Sequence, residues 1–104
     1  MKTFSVSYSE KSASDLELIY SYIADELKNP TAAANLLRRL TKAIDDLNFM
    51  ADSYHLYQSE PFYSQGIRYF SEGNYCVFYK IIDDAAYVIR IIYGARDLDK
   101  ALTE

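Results

Sequence analysis

The sequence has 104 residues, half of them apolar and a quarter charged, which suits one domain over 1–104 with a core of its own and excludes a disordered chain. A single cysteine, Cys76, excludes an internal disulfide and a cysteine-built zinc site, and no apolar run reaches the roughly 20 residues of a membrane helix. Residues 1–7 lack the apolar stretch of a signal peptide, so the expected location is the cytoplasm. A net charge of −4 argues against a chain that grips nucleic acid by its phosphates.

Residues 3–8 alternate, with Phe4, Val6 and Tyr8 on one side and Thr3, Ser5 and Ser7 on the other, the period of a half-buried strand. Ser12-x-x-Asp15 resembles a weak capping box at the start of a helix. Ala13, Leu16, Ile19, Tyr20, Ile23 and Leu27 then recur at spacings of three and four, an amphipathic stripe. Asn29-Pro30 ends that helix and opens a second, with Asn29 as N-cap and Pro30 in the first turn. Its stripe is Ala33, Leu36, Leu37, Leu40, Ala43, Ile44 and Leu47. So short a connection folds the two helices back as an antiparallel hairpin.

Residues 51–66 show no period and carry Pro61, Gly66 and the aromatics Tyr54, Tyr57, Phe62 and Tyr63. Such a loop is expected to pack its own side chains over the sheet edge. Three strand-like runs follow, at 67–71, 75–82 and 87–93, separated by Glu72-Gly73-Asn74 and Asp83-Asp84-Ala85 turns. Strict alternation puts Tyr75, Val77, Tyr79, Ile81, Ile89 and Ile91 against the helices. It leaves the faces holding Lys80 and Arg90 open. Asp97 suits the cap of a short last helix through Leu102. The fold class is therefore α+β, a two-layer sandwich in the order β-α-α-β-β-β with a short C-terminal helix, the hairpin packed on a mainly antiparallel sheet.

His55 reads as a surface histidine in a loop, and Cys76 as a small strand residue without a histidine to activate it. Asp45-Asp46 and Asp83-Asp84 have neither the spacing nor the partners of a metal site, so no metal and no cofactor are expected. The basic residues of the helices, Arg38, Arg39 and Lys42 among them, read as solvated faces. Arg68, Lys80, Arg90 and Arg96 stand apart: gathered on an open sheet, they would hold a phosphate, pair with a partner's carboxylates, or only solvate that face.

One set of motifs is Ala13-x-Asp15-Leu16-x-x-Ile19-x-x-Tyr22-Ile23 and Asn29-Pro30 with Ala32 and Ala33. It continues in Gly66-x-Arg68, Tyr75-x-Val77-Phe78-Tyr79 and Arg90-Ile91-Ile92-Tyr93-Gly94-Ala95-Arg96-Asp97. This is a resemblance to toxins of the RelE/ParE superfamily. It implies the toxin half of a type II toxin–antitoxin pair, neutralised by a cognate antitoxin whose disordered segment wraps it. Operator DNA would be met only through that complex, and no membrane is involved. Members of one branch cut mRNA on the ribosome, and members of the other poison DNA gyrase without the nuclease set. Where the nuclease branch has strand lysines this chain shows Ile67 and Tyr69. Cys76 stands for that branch's strand arginine and Leu102 for its C-terminal tyrosine, and only Arg96 survives. RNA cleavage needs a base, an acid and charge stabilisation, and only the last is visible.

The resemblance thus favours a gyrase-directed toxin with no catalysis of its own. Arg68, Lys80, Arg90, Tyr93 and Arg96 are the candidate contacts with target or antitoxin. The alternatives are a ribosome-dependent mRNA endonuclease using Arg68, Arg90 and Arg96, and an inactive member kept for antitoxin pairing and operator autoregulation.

Overall fold

The computed structural model describes residues 3–104. Its order is β1 (Ser5–Tyr8), α1 (Glu10–Ser21), a π-helical turn (Tyr22–Glu26), α2 (Pro30–Asp45), α3 (Leu47–Met50), β2 (Ile67–Glu72), β3 (Tyr75–Ile82), β4 (Ala85–Tyr93) and α4 (Leu98–Leu102). The four strands form one sheet in the order β1-β4-β3-β2, with β1 parallel to β4 and the other pairs antiparallel.

Asn29 caps α2 as expected, its side chain accepting from Ala32 N–H at 3.0 Å with Pro30 behind it. Ala33, Leu36, Leu40 and Ile44 sink from α2 into a core shared with Phe4, Phe70, Val77, Tyr79, Val88 and Ile91 of the sheet. Each large side chain so buried contributes about 1.5–3 kcal/mol. The first helix differs from its stripe. Ser21 ends the α-helix, and the next turn widens, with Leu27 N–H bonding the Tyr22 carbonyl at 3.1 Å. The extra residue in that turn rotates Leu27 off the core side and leaves it exposed.

Ser9, rather than Ser12, caps α1, accepting from Ser12 N–H at 3.0 Å, so the Ser12–Asp15 capping box is not formed. Asp97 does cap α4.

The sheet corrects two further expectations. Cα pairing runs Phe78–Arg90 and then Tyr79–Val88, which leaves Ile89 as a β-bulge. One extra residue reverses the alternation, so Val88 and Ala86 join Ile91 on the helix face while Ile89 packs on the other side. That other side is not open. Phe62 from the loop and Ala101 from α4 close over Ile67, Cys76, Phe78 and Ile92, making a second core.

Candidate functional site

β1 pairs with β4 only as far as Val88, so the next stretch of β4 has a bare edge. The first turns of α1 cover it with one polar side chain per turn. Ser9 Oγ donates to the Ile89 carbonyl at 2.9 Å, and buried Ser12 Oγ donates to the Val88 carbonyl at 3.1 Å. Asp15 completes the series: Oδ2 accepts from Ile91 N–H at 2.9 Å and from Arg90 Nε at 2.8 Å, and Oδ1 accepts from Arg90 Nη2 at 3.1 Å. Arg90 Nη1 donates to the Ala101 carbonyl at 2.7 Å. Both side chains are only 12% exposed. The Asp15 hydrogen bonds raise the Arg90 pKa further, against the opposing effect of burial. Arg90 is therefore a fastener joining α1, β4 and α4.

The expected gathering of cations on one face does not occur. Pairing with Tyr79 puts Arg68 on the helix face, where its guanidinium donates to the Tyr54 carbonyl. Lys80 and Arg90 lie on the opposite face, where Arg90 is bonded to α4, and Arg96 lies beyond the strand, paired with Glu104 at 2.8 Å. His55 is exposed, and Cys76 is buried with its Sγ 3.6 Å from Ser71 Oγ. Among the described residues no group of three His, Cys, Asp or Glu side chains is placed to hold a metal.

What the fold does assemble is a groove of about 720 Å³ between the flank of α1 and the ends of β3 and β4. Leu18, Ile19, Tyr22, Ile23 and Leu27 line one wall, Leu36 and Arg39 of α2 the floor, and Tyr75, Ile91, Tyr93 and Arg96 the other wall. Leu18 is 66% exposed, Tyr22 54% and Tyr93 47%. Large apolar side chains concentrated in this way, rimmed by arginine, have the composition of a protein-binding surface. The Tyr93 and Tyr75 rings meet edge to face with centroids 5.7 Å apart. Burial, and then the neighbouring Tyr93 and Tyr22 phenols, push the Tyr75 hydroxyl up.

Of the residues singled out from sequence, Tyr93 and Arg96 line this groove. Leu18, Tyr22 and Arg39 were missed. Leu18 and Tyr22 lay outside or beside the counted stripe, and their signal was an apolar arc on α1 too broad for one core-facing side. A second apolar groove of about 850 Å³ lies on the other flank of α1, between Tyr8, Leu16, Tyr20 and Leu37.

On the sheet's second face, the first residues of the loop 54–66 pair with β2. Tyr57 N–H donates to the Ile67 carbonyl at 2.8 Å, and Tyr69 N–H donates to the His55 carbonyl at 3.3 Å, which extends the sheet past β2 as the loop's expected edge packing requires. Tyr57 then packs edge to face on Phe78 and Tyr69. Its hydroxyl and that of Ser59 both donate to the Asp99 carboxylate on α4. Those two bonds hold the Asp99 carboxyl below its usual range, the Ser59 bond first. Burial, and then the Asp99 hydrogen bond, push the Tyr57 phenol up to about 12.

A helix hairpin thus packs on one face of a mixed four-stranded sheet, and an exposed aromatic groove opens beside α1. Residues 6–98 match the family described as the ParE toxin of type II toxin–antitoxin system, parDE. The chain belongs to that family and is a type II toxin of the RelE/ParE superfamily. No protein of curated function matches the sequence.

Among solved structures, the chromosomal ParDE system of P. aeruginosa is similar at a TM-score of 0.73 and 20% identity, over 88% of this chain and 96% of that one. The RelBE2 toxin–antitoxin complex of Mycobacterium tuberculosis gives 0.65 and 15%, over 88% and 98%. YafQ from E. coli gives 0.56 and 20%, over 88% and 94%. At these identities the likeness is one of fold. No helix among the described residues is long and apolar enough to cross a membrane.

Proposed function

We propose that this toxin arrests growth by binding DNA gyrase rather than by cutting RNA, and that a cognate antitoxin neutralises it by docking in the groove beside α1. The observation that carries the first half is the state of the sheet's second face. Phe62, Tyr57 and α4 cover it, and Arg90 beneath them is spent on Asp15 and the Ala101 carbonyl. Arg68 is on the opposite face, held by the Tyr54 carbonyl. A nuclease would need these guanidiniums free, together, and beside a proton donor and acceptor. The remaining functional surface is one for association, and a toxin that poisons an enzyme by binding needs nothing else.

The antitoxin half is supported by the groove's exposed Leu18, Tyr22, Leu27 and Tyr93, which a segment folding on contact would bury. The RelBE2 structure, a toxin–antitoxin complex of similar fold, is consistent with such pairing. Operator DNA would then be reached through the antitoxin, since the toxin itself carries net −4.

The test is a supercoiling assay with purified toxin in excess over gyrase. Inhibition that antitoxin titrates away is the expected result, and a gyrase that stays fully active at every toxin concentration overturns the proposal. Expression without antitoxin that leaves growth untouched would instead mark an inactive member kept for pairing and autoregulation.

A further inference from the structure

Resting on the antitoxin reading above, we infer that Arg39 and Arg96 form a two-pronged clamp for a carboxylate of the antitoxin's groove-bound segment, and that Glu104 occupies one prong until the antitoxin arrives. The chain is acidic overall, yet the charged residues lining its aromatic groove are Asp15, Arg39 and Arg96. Asp15 is fully engaged, its two oxygens taken by Arg90 and the Ile91 N–H. The groove therefore presents two guanidiniums and no free carboxylate.

Arg39 lines the floor from α2, is exposed, and has no hydrogen-bond or ion-pair partner among the described residues. Arg96 lines the far wall and gives Nη2 to Glu104 Oε1 at 2.8 Å, the two side chains being 46% and 48% exposed. That bond, more than the nearby Arg90 and Lys100 charges, holds the Glu104 carboxyl below its usual range. A carboxylate on an arginine is the contact an acidic partner residue would make. Here the chain makes it with itself, through a pair exposed enough to exchange.

An apolar segment seated between Leu18 and Tyr93 would thus carry an Asp or Glu facing Arg39 and Arg96. A neutral or basic segment would leave both guanidiniums partly desolvated and unpaired, which gives discrimination among partners. Glu104 acts as a weak internal competitor. It lowers apparent affinity by the fraction of time it holds Arg96.

The experiment uses the full toxin and, as probe, the antitoxin defined as the protein whose co-expression restores growth, with affinity read by calorimetry. Arg39→Glu and Arg96→Glu are each expected to weaken binding by about tenfold or more, and exchange of one antitoxin carboxylate for Arg should restore binding to the Glu variants. Glu104→Gln should tighten binding by up to about fivefold, the weight of an exposed pair. Leu18→Glu serves as the control for the groove. If Leu18→Glu abolishes binding while both arginine reversals bind as wild type, the clamp is wrong and the groove stands. If Leu18→Glu and both arginine reversals all bind as wild type, the antitoxin docks elsewhere and both readings fall.

Discussion

The Asp15 carboxylate meets Arg90 in a two-point contact, at 2.8 and 3.1 Å, while the same group accepts the Ile91 N–H of the strand edge. A four-residue β1 cannot cover a nine-residue β4, so α1 completes the edge with side chains at positions 9, 12 and 15. The pair is thereby an architectural element, and removing one partner strands the other.

Asp15→Ala should cost about 3 kcal/mol or more in urea unfolding, because it leaves a nearly buried guanidinium and a strand N–H unpaired. Asp15→Ala with Arg90→Met should be less destabilising than Asp15→Ala alone. A double variant as unstable as the sum of the two single changes would mean that the pair is not coupled.

The second fastening can be released without touching the main core. Asp99 holds Tyr57 and Ser59 together, linking loop to α4. Asp99→Ala should raise amide hydrogen exchange across 54–66 and in α4 while leaving the amides of α2 and β3 protected. Uniform loss of protection across the molecule would show that loop and α4 are not a separate unit.

Much of this architecture was legible in the sequence. The α2 stripe, its Asn29-Pro30 start, the two hairpin turns and the Asp97 cap are local signals that the fold leaves unopposed. The second face was not legible, for two physical reasons. Ile89 bulges without any glycine to mark it, and one extra residue inverts which β4 side chains face the helices. Phe62 lies in an aperiodic loop, so nothing in the local pattern says that it plugs a sheet. The groove escaped for a related reason: Arg39, on a polar helix flank, becomes part of a site only through residues of β4 and beyond.

Deleting Ile89 should accordingly cost little more than its own packing, because it removes the extra residue of the bulge and leaves the rest of β4 in register. Without Ile89, strict alternation keeps Val88 and Ala86 on the same face as Ile91. Cooperative unfolding with a loss close to that of Ile89→Ala is expected. A deletion variant that no longer unfolds cooperatively would contradict the assigned register.

The alkaline limb of stability should carry the signature of Tyr57. Its pKa lies near 12 in the fold against about 10 for an unstructured tyrosine. The native state thus holds the proton more tightly. The contribution is complete below pH 10 and lost as pH rises towards 12. Tyr57→Phe should flatten that part of the profile, and phenolate absorbance in the folded protein should show one fewer late-titrating group. An unchanged profile between those values would show that the Tyr57 proton is not linked to folding.

The central claim is that this toxin binds gyrase and leaves RNA intact. One antitoxin-free preparation, given in parallel to gyrase with plasmid DNA and to programmed ribosomes with mRNA, tests it most directly. Lost supercoiling with accumulated cleaved-DNA complexes, beside full-length mRNA, is the expected result. Site-cut mRNA with untouched gyrase would contradict it, and would mean that the covered sheet face opens on the ribosome.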